Sequence, residues 1–341
     1  MRKMFLVIFA MSFILIPLNV MADSTSCKTT YPIVLAHGIA MNDIPPAIEY
    51  FNGVKKRLER NGATVFIADV DKMAATGTKA YQFAKYLNEK VFTKYDRYGK
   101  PIKKVNIIGH SHGGIYTKYA VTYSSYYSPK YGHFSWDLPN NKIASITQID
   151  SPNQGSPCVD FALGVDDITS GLLVIGIDFL YTDVFETLFG SDESDVYSDS
   201  FANAADLSLD GASSMYASMG GNNSIPGIYC QSYHHKMKSF LGFAVPQIGV
   251  VQLMAFSMPI QCGAQTIGYR SDKGPHTPSD GGVSRKSAAW AYYRGMDDGG
   301  WLQNAGIDHC NATGQPFGFT GWFRAPDKYQ DIVEDLKSRG Y

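Results

Sequence analysis

Short apolar runs and longer amphipathic stripes alternate along the first half of the chain. Tyr31–Ala36 (YPIVLA) is an apolar run closed by His37-Gly38, and it predicts a buried strand. Over 47–61, Ile48, Phe51, Val54 and Leu58 recur on one helical face and Gly62 follows as a stop. Residues 64–70 (TVFIADV) predict a second strand. Residues 78–92 predict a second helix, with Tyr81, Ala84, Leu87 and Val91 on or near its apolar side. Residues 104–108 (KVNII) predict a third strand, a third helix begins at Gly113, and 143–149 predict a fourth strand. Tyr116, Tyr119, Tyr123 and Tyr126-Tyr127 are expected to continue down that third helix as a packing stripe. Strands alternating with helices imply an α/β fold with a mainly parallel sheet covered on both faces.

Beyond Asp160 the pattern is less regular. Residues 168–189 are rich in Leu, Ile, Val and Phe and predict a helix, whereas 191–224 are small and polar. Residues 228–233 and 266–270 are candidate strands, and 326–340 predict a terminal helix with Tyr329, Ile332, Val333 and Leu336 as its stripe. Residues 239–260 carry no charge, but Pro246 and Pro259 interrupt them, so a buried or lid segment is expected rather than a membrane span. At the N-terminus, Arg2 and Lys3 precede an apolar stretch to about Leu18, and Val20-Met21-Ala22 offers a cleavage site. Residues 1–22 therefore read as a signal peptide, which makes the protein secreted, through a periplasm in a Gram-negative cell. The expected organisation is one domain over 23–341, with lid or cap insertions within 160–260.

Composition narrows the function classes. The chain has 341 residues, 45% hydrophobic, 13% aromatic and 18% charged, which excludes disorder. The formal net charge is -1, so no global positive field exists to hold a nucleic acid. The five cysteines (27, 158, 230, 262 and 310) form neither a CxxC nor a zinc-spaced cluster. In an oxidising compartment they allow two disulfides and leave one thiol.

The candidate chemistry starts at Ile107–Gly114, IIGHSHGG, which contains Gly109-His110-Ser111-His112-Gly113. This G-x-S-x-G follows an apolar strand run and precedes a helical one. A serine on such a turn sits in strained backbone above the sheet edge, and only small residues two before and two after it avoid clashes. The turn also presents N–H groups at a helix start, where developing negative charge is favoured. The expected oxyanion donors are the backbone N–H of Ile39, in the loop after the first strand, and of His112. His37 precedes the nucleophile and is expected to orient rather than act as base.

Serine hydrolases with this turn run Ser, then acid, then His. Of the later histidines, His309 lies shortly before the terminal helix, where the last member belongs. His276 reads as a loop residue, and the His234-His235 pair as surface or structural. Asp280 and Asp272 both precede His309, and sequence physics barely separates them.

These segments resemble the secreted bacterial triacylglycerol lipases of the Pseudomonas and Burkholderia type. YPIVLAHGI is similar to the family's opening strand and oxyanion loop, VNIIGHSHGGIYTKYA to its nucleophile segment, and DSPNQGSPCVDF to the segment after its next strand. Asp280-Gly281-Gly282-Val283 resembles its acid loop, which selects Asp280 over Asp272. Residues 309–319 resemble its histidine segment. The resemblance implies an α/β-hydrolase fold and a Ser111–Asp280–His309 triad acting through an acyl-enzyme on lipid esters at an oil–water interface. It also implies a possible dedicated folding chaperone. It places Asn311, Gln315 and Phe319 at the family's structural calcium site. Asn311 stands where the family has an aspartate, and calcium prefers several anionic oxygens, so tight calcium binding is not expected and no cofactor is required. The second cysteine of the family's disulfide is missing, so the pairing among the five cysteines stays open, with Cys230–Cys262 as one candidate. Carboxylesterase or phospholipase activity on the same scaffold is the alternative. A catalytically inert surface-binding protein is the non-enzyme alternative, and the intact Ser111, Asp280 and His309 argue against it.

Overall fold

The computed structural model describes residues 24–39, 49–157, 159–160, 195–237, 239–240, 243–244, 278–299, 306–315 and 323–341. Strand β1 (Ile33–Ala36) leads through helix α1 (Val54–Arg60) to β2 (Val65–Ile67), and α2 (Thr76–Tyr86) leads on to β3 (Val105–His110). Helix α3 (His112–Thr122) follows, then a hairpin of β4 (Ser125–Ser128) and β5 (Gly132–Ser135), then β6 (Ile143–Ile149). Farther along come α4 (Ser200–Leu207), α5 (Leu209–Ser218) and β7 (Tyr229–His235). A two-residue pair, β8 (Ser239–Phe240) and β9 (Phe243–Ala244), precedes α6 (Arg285–Ala288), β10 (Tyr292–Asp297) and α7 (Ala325–Ser338).

The central sheet has the order β10-β7-β6-β3-β1-β2, and every neighbouring pair is parallel. Side chains alternate across β1 as a strand requires. Ile33 and Leu35 join Val54 and Leu58 of α1 and Tyr329, Ile332, Val333 and Leu336 of α7 in one core. Val34 and Ala36 join Phe83 of α2 and Tyr116 and Ala120 of α3 in the other. Burying each such Leu, Ile, Val or Phe stabilises the fold by roughly 1.5–3 kcal/mol. Helix α7 starts where Pro326 presets the backbone and Asp327 lies in the first turn, both favourable at a helix N-terminus.

The chain passes from β1 to β2 on one side, then returns to β3 on the other side of β1. That reversal opens a crevice at the carboxyl ends of β1 and β3, where open α/β sheets place their ligands. The loops holding His37–Ile39 and Ser111 lie at these two strand ends.

Several expectations change. The helix expected over 47–61 is helical only from Val54, because Gly53 at φ 70 turns the chain first; residues 47–48 lie outside the described residues. Tyr126-Tyr127 do not continue α3. Tyr123 is already extended, and Tyr126 and Tyr127 pair with Phe134 and His133 in the hairpin. The small polar stretch contains α4 and α5, whose starts are capped by the Asp199 and Ser208 side chains. Strand β7, by contrast, covers the candidate strand at 228–233 and takes its place in the central sheet. The expected helix over 168–189, the candidate strand 266–270 and most of 239–260 lie outside the described residues, as does the proposed leader 1–22. Cys230 is a free, buried thiol facing Ile228 O, so the Cys230–Cys262 pairing is not made.

Candidate active site

Ser111 joins β3 to α3 with φ 56 and ψ -131, a left-handed backbone that a serine adopts only under strain. Its N–H is anchored on Ile149 O of β6 at 2.9 Å. The flanking glycines explain the motif's spacing. A β-carbon on Gly109 would lie 2.6 Å from the backbone of Gly113 and Gly114, and one on Gly113 would run into the Ala36 carbonyl of β1.

The loop after β1 sits directly against the serine. A β-carbon on Gly38 would come within 2.8 Å of Ser111 Cβ and 3.1 Å of its Oγ. The Gly38 carbonyl accepts a hydrogen bond from the buried Lys79 ammonium at 3.2 Å and faces His37 Nδ1 at 3.1 Å. Because a trans peptide points its C=O and N–H in opposite directions, pinning this carbonyl turns the Ile39 N–H away from Lys79. The N–H of His112, first residue of α3, is one of the donors a helix start leaves unpaired. Neither amide meets an acceptor among the described residues. Burial, and then Lys79, pull His37 down to about 3, so its ring is neutral. Burial also pulls Lys79 down to about 7; its second contact is Lys72 O at 2.8 Å. The His112 ring is fixed by Thr76 Oγ1 at 2.8 Å and is likewise held neutral by burial.

His309 donates Nδ1–H to Asp280 Oδ2 at 2.6 Å. Asp280 is fully buried, and its other oxygen accepts the N–H groups of Gly282 and Val283 at 2.9 and 2.6 Å. The backbone N–H of His309 also reaches Asp280 O at 3.0 Å. Burial disfavours the charged imidazolium, but Asp280 outweighs it and holds the ring up at about 9. The His309 side chain keeps 21% of its surface open. Its ring lies 4.6 Å, centroid to centroid, from that of His110, the residue before the serine. The hydroxyl of Ser111 and His309 are brought to the same sheet end but are not hydrogen bonded to each other, a contact that often tightens only with substrate bound. Asp272 lies outside the described residues.

Other site residues carry no motif of their own. Tyr50 Oη lies 2.6 Å from His110 Nδ1 and also contacts the Gly38 backbone. Asp150, at the end of β6, accepts from His235 Nδ1–H at 2.6 Å. His234 and His235 are buried at this strand end, the structural of the two placements the sequence left open. The readable signal for Asp150 was its position, directly after the apolar run of β6. Of the calcium candidates, Asn311 and Gln315 are buried beside a short 3-10 turn, and Phe319 lies outside the described residues. The two described candidates offer neutral amide oxygens. Neutral amide oxygens hold calcium less tightly than carboxylates do.

Sheet order, elbow and site loops together define an α/β-hydrolase fold. The comparisons agree. A family described as "Putative serine esterase (DUF676)" matches residues 28–155. The chain is similar to a triacylglycerol lipase of Vibrio cholerae, 30% identical over 138 residues, covering 40% of this chain and 38% of that one. A Burkholderia plantarii triacylglycerol lipase is 27% identical over 176 residues, covering 51% and 44%. The chain thus matches less than half the length of these curated relatives. Among solved structures, Staphylococcus hyicus lipase superposes with a TM-score of 0.61 at 18% identity, over 91% of this chain and 96% of that one.

Proposed function

We propose that this protein is a serine carboxylic-ester hydrolase acting as a triacylglycerol lipase. The observation that carries the reading is the strained Ser111 elbow at the sheet end that also holds the His309–Asp280 pair. Its relatives named triacylglycerol lipase support the substrate class. In this reading His309 takes the Ser111 proton as Ser111 Oγ attacks the ester carbonyl. Asp280 holds the imidazole tautomer and stabilises the imidazolium, and the Ile39 and His112 amides receive the oxyanion. The alcohol leaves with the proton from His309, and water then releases the acid from the acyl-enzyme. No step passes through a metal. The leader at 1–22 would deliver the enzyme outside the cell.

Ser111→Ala tests the chemistry. It is expected to cut ester hydrolysis by at least about 10⁴-fold and abolish fluorophosphonate labelling while leaving the folded circular-dichroism spectrum intact. Retained hydrolysis would refute the assignment. A series of esters of rising chain length, with and without an emulsion, tests the substrate. Preference for short soluble esters with no interfacial response would replace lipase by carboxylesterase.

A further inference from the structure

A second buried acid–imidazole pair lies beside the first. Asp150 follows β6 with φ 50, a left-handed backbone that aspartate, asparagine and glycine tolerate best. Its carboxylate, fully buried, accepts His235 N–H at 2.7 Å and His235 Nδ1–H at 2.6 Å. Asp150 Oδ2 lies 4.0 Å from His110 Nε2, and His110 is the ring packed against His309. An oxygen of Asp150, an oxygen of Asp280 and a ring nitrogen of His234 all lie within 4.8 Å of one another. Two carboxylates so close in a buried site repel when both are charged. An asparagine at 150 would present the same acceptor to the His235 N–H without that repulsion, so tying β6 to β7 does not require the charge.

We propose that Asp150 is a second acid of this site, a positioning residue whose buried negative charge stabilises the positive charge His309 carries after taking the Ser111 proton. This rests on the hydrolase reading above. Among the described residues, the groups facing His309 are Asp280 from the acid turn, His110 from the end of β3, Asp150 from the end of β6, and Asp308 and Cys310 on its own segment; His234 and His235 of β7 adjoin Asp150 and Asp280. Burial holds His110 neutral, pushes Asp308 up to about 7 and raises the Cys310 thiol. Burial also disfavours the charged Asp150, but His235 outweighs it and holds the carboxyl below the usual carboxylate range. Asp150 therefore stays ionised where Asp308 gains a proton.

The test is kcat and KM for p-nitrophenyl butyrate from pH 5 to 10, for the full chain and Asp150→Asn. Loss of the charge makes His309 less basic, so the acid limb of kcat/KM moves down by about 0.5–1 pH unit. Plateau kcat falls roughly three- to tenfold with KM unchanged. Asp150→Gly, which suits the left-handed backbone and removes the same charge, serves if the asparagine variant unfolds, and the same shift is expected of it. Profiles that superimpose on the wild type, with or without a loss of stability, make Asp150 a strand tie and overturn the proposal. Fluorophosphonate labelling separates the two readings. A wild type that labels at Ser111 while the profiles superimpose sinks only the role of Asp150; a wild type that neither labels nor hydrolyses esters sinks both.

Discussion

Asp308 shows how much a single buried carboxyl can control at this site. It is buried beside His309 and accepts the Asn311 N–H at 2.7 Å. Burial pushes it from an ordinary 3.8 up to about 7. The folded chain therefore keeps a proton that the unfolded chain has already released, and wild-type stability is lost as pH rises from about 4 through 7. Asp308→Asn keeps an oxygen acceptor for Asn311 and has no proton to lose. Its gain over wild type in thermal denaturation should be near zero at pH 4, grow through pH 7 and level off at roughly 1–3 kcal/mol by pH 8. A gain independent of pH would contradict the burial argument. Lys79 shows the same physics with the opposite charge. It is completely buried, and it spends its hydrogen bonds on two backbone carbonyls, one of them the Gly38 carbonyl in the loop after β1.

At the scale of elements, the β3–Ser111–α3 elbow depends on backbones approaching where side chains would collide. Gly113 opens α3 against β1, and a methyl group there meets the Ala36 carbonyl, a backbone atom that cannot rotate away. Gly113→Ala is expected to destabilise the protein by about 3 kcal/mol or more, at the upper end of overpacking costs, and to remove activity even where it folds. Urea denaturation beside an ester assay checks this, and wild-type values in both would contradict the close approach. The elbow was legible in the sequence because its glycine spacing is a local steric requirement. Helices α4 and α5 were not, since 191–224 has too few large apolar residues to show a stripe. What supports them is capping and a few contacts made in the tertiary structure, such as Leu207 against Ile115. The end of α3 was misjudged for a related reason. Tyrosines at helical spacing also suit a hairpin, and cross-strand pairing decided between the two.

For the whole molecule, the leader proposed at 1–22 is the feature that bears on where the protein acts. Expressed at full length in a bacterial host, the chain recovered from the medium should begin near Asp23 by N-terminal sequencing. An intact Met1 on cell-bound protein would refute secretion. The sequence by itself determined the alternation of strands and helices, the nucleophile turn, and the choice of His309 by order along the chain. All three follow from local periodicity, local sterics or chain order, which one strand of text carries. For the acid, residue physics left Asp280 and Asp272 open, and only the resemblance selected Asp280. The tertiary structure brought Asp280 to His309 across the 28 residues between them, a contact without local periodicity. It also decided what surrounds Ser111, Asp280 and His309. Tyr50, Lys79, Asp150 and His235 come from different elements, and they meet because the parallel strands β1, β3, β6 and β7 end at one edge of the sheet, where the strand order reverses. Burial at that crevice then sets their charges, and burial is a property of the packed chain that no single segment contains.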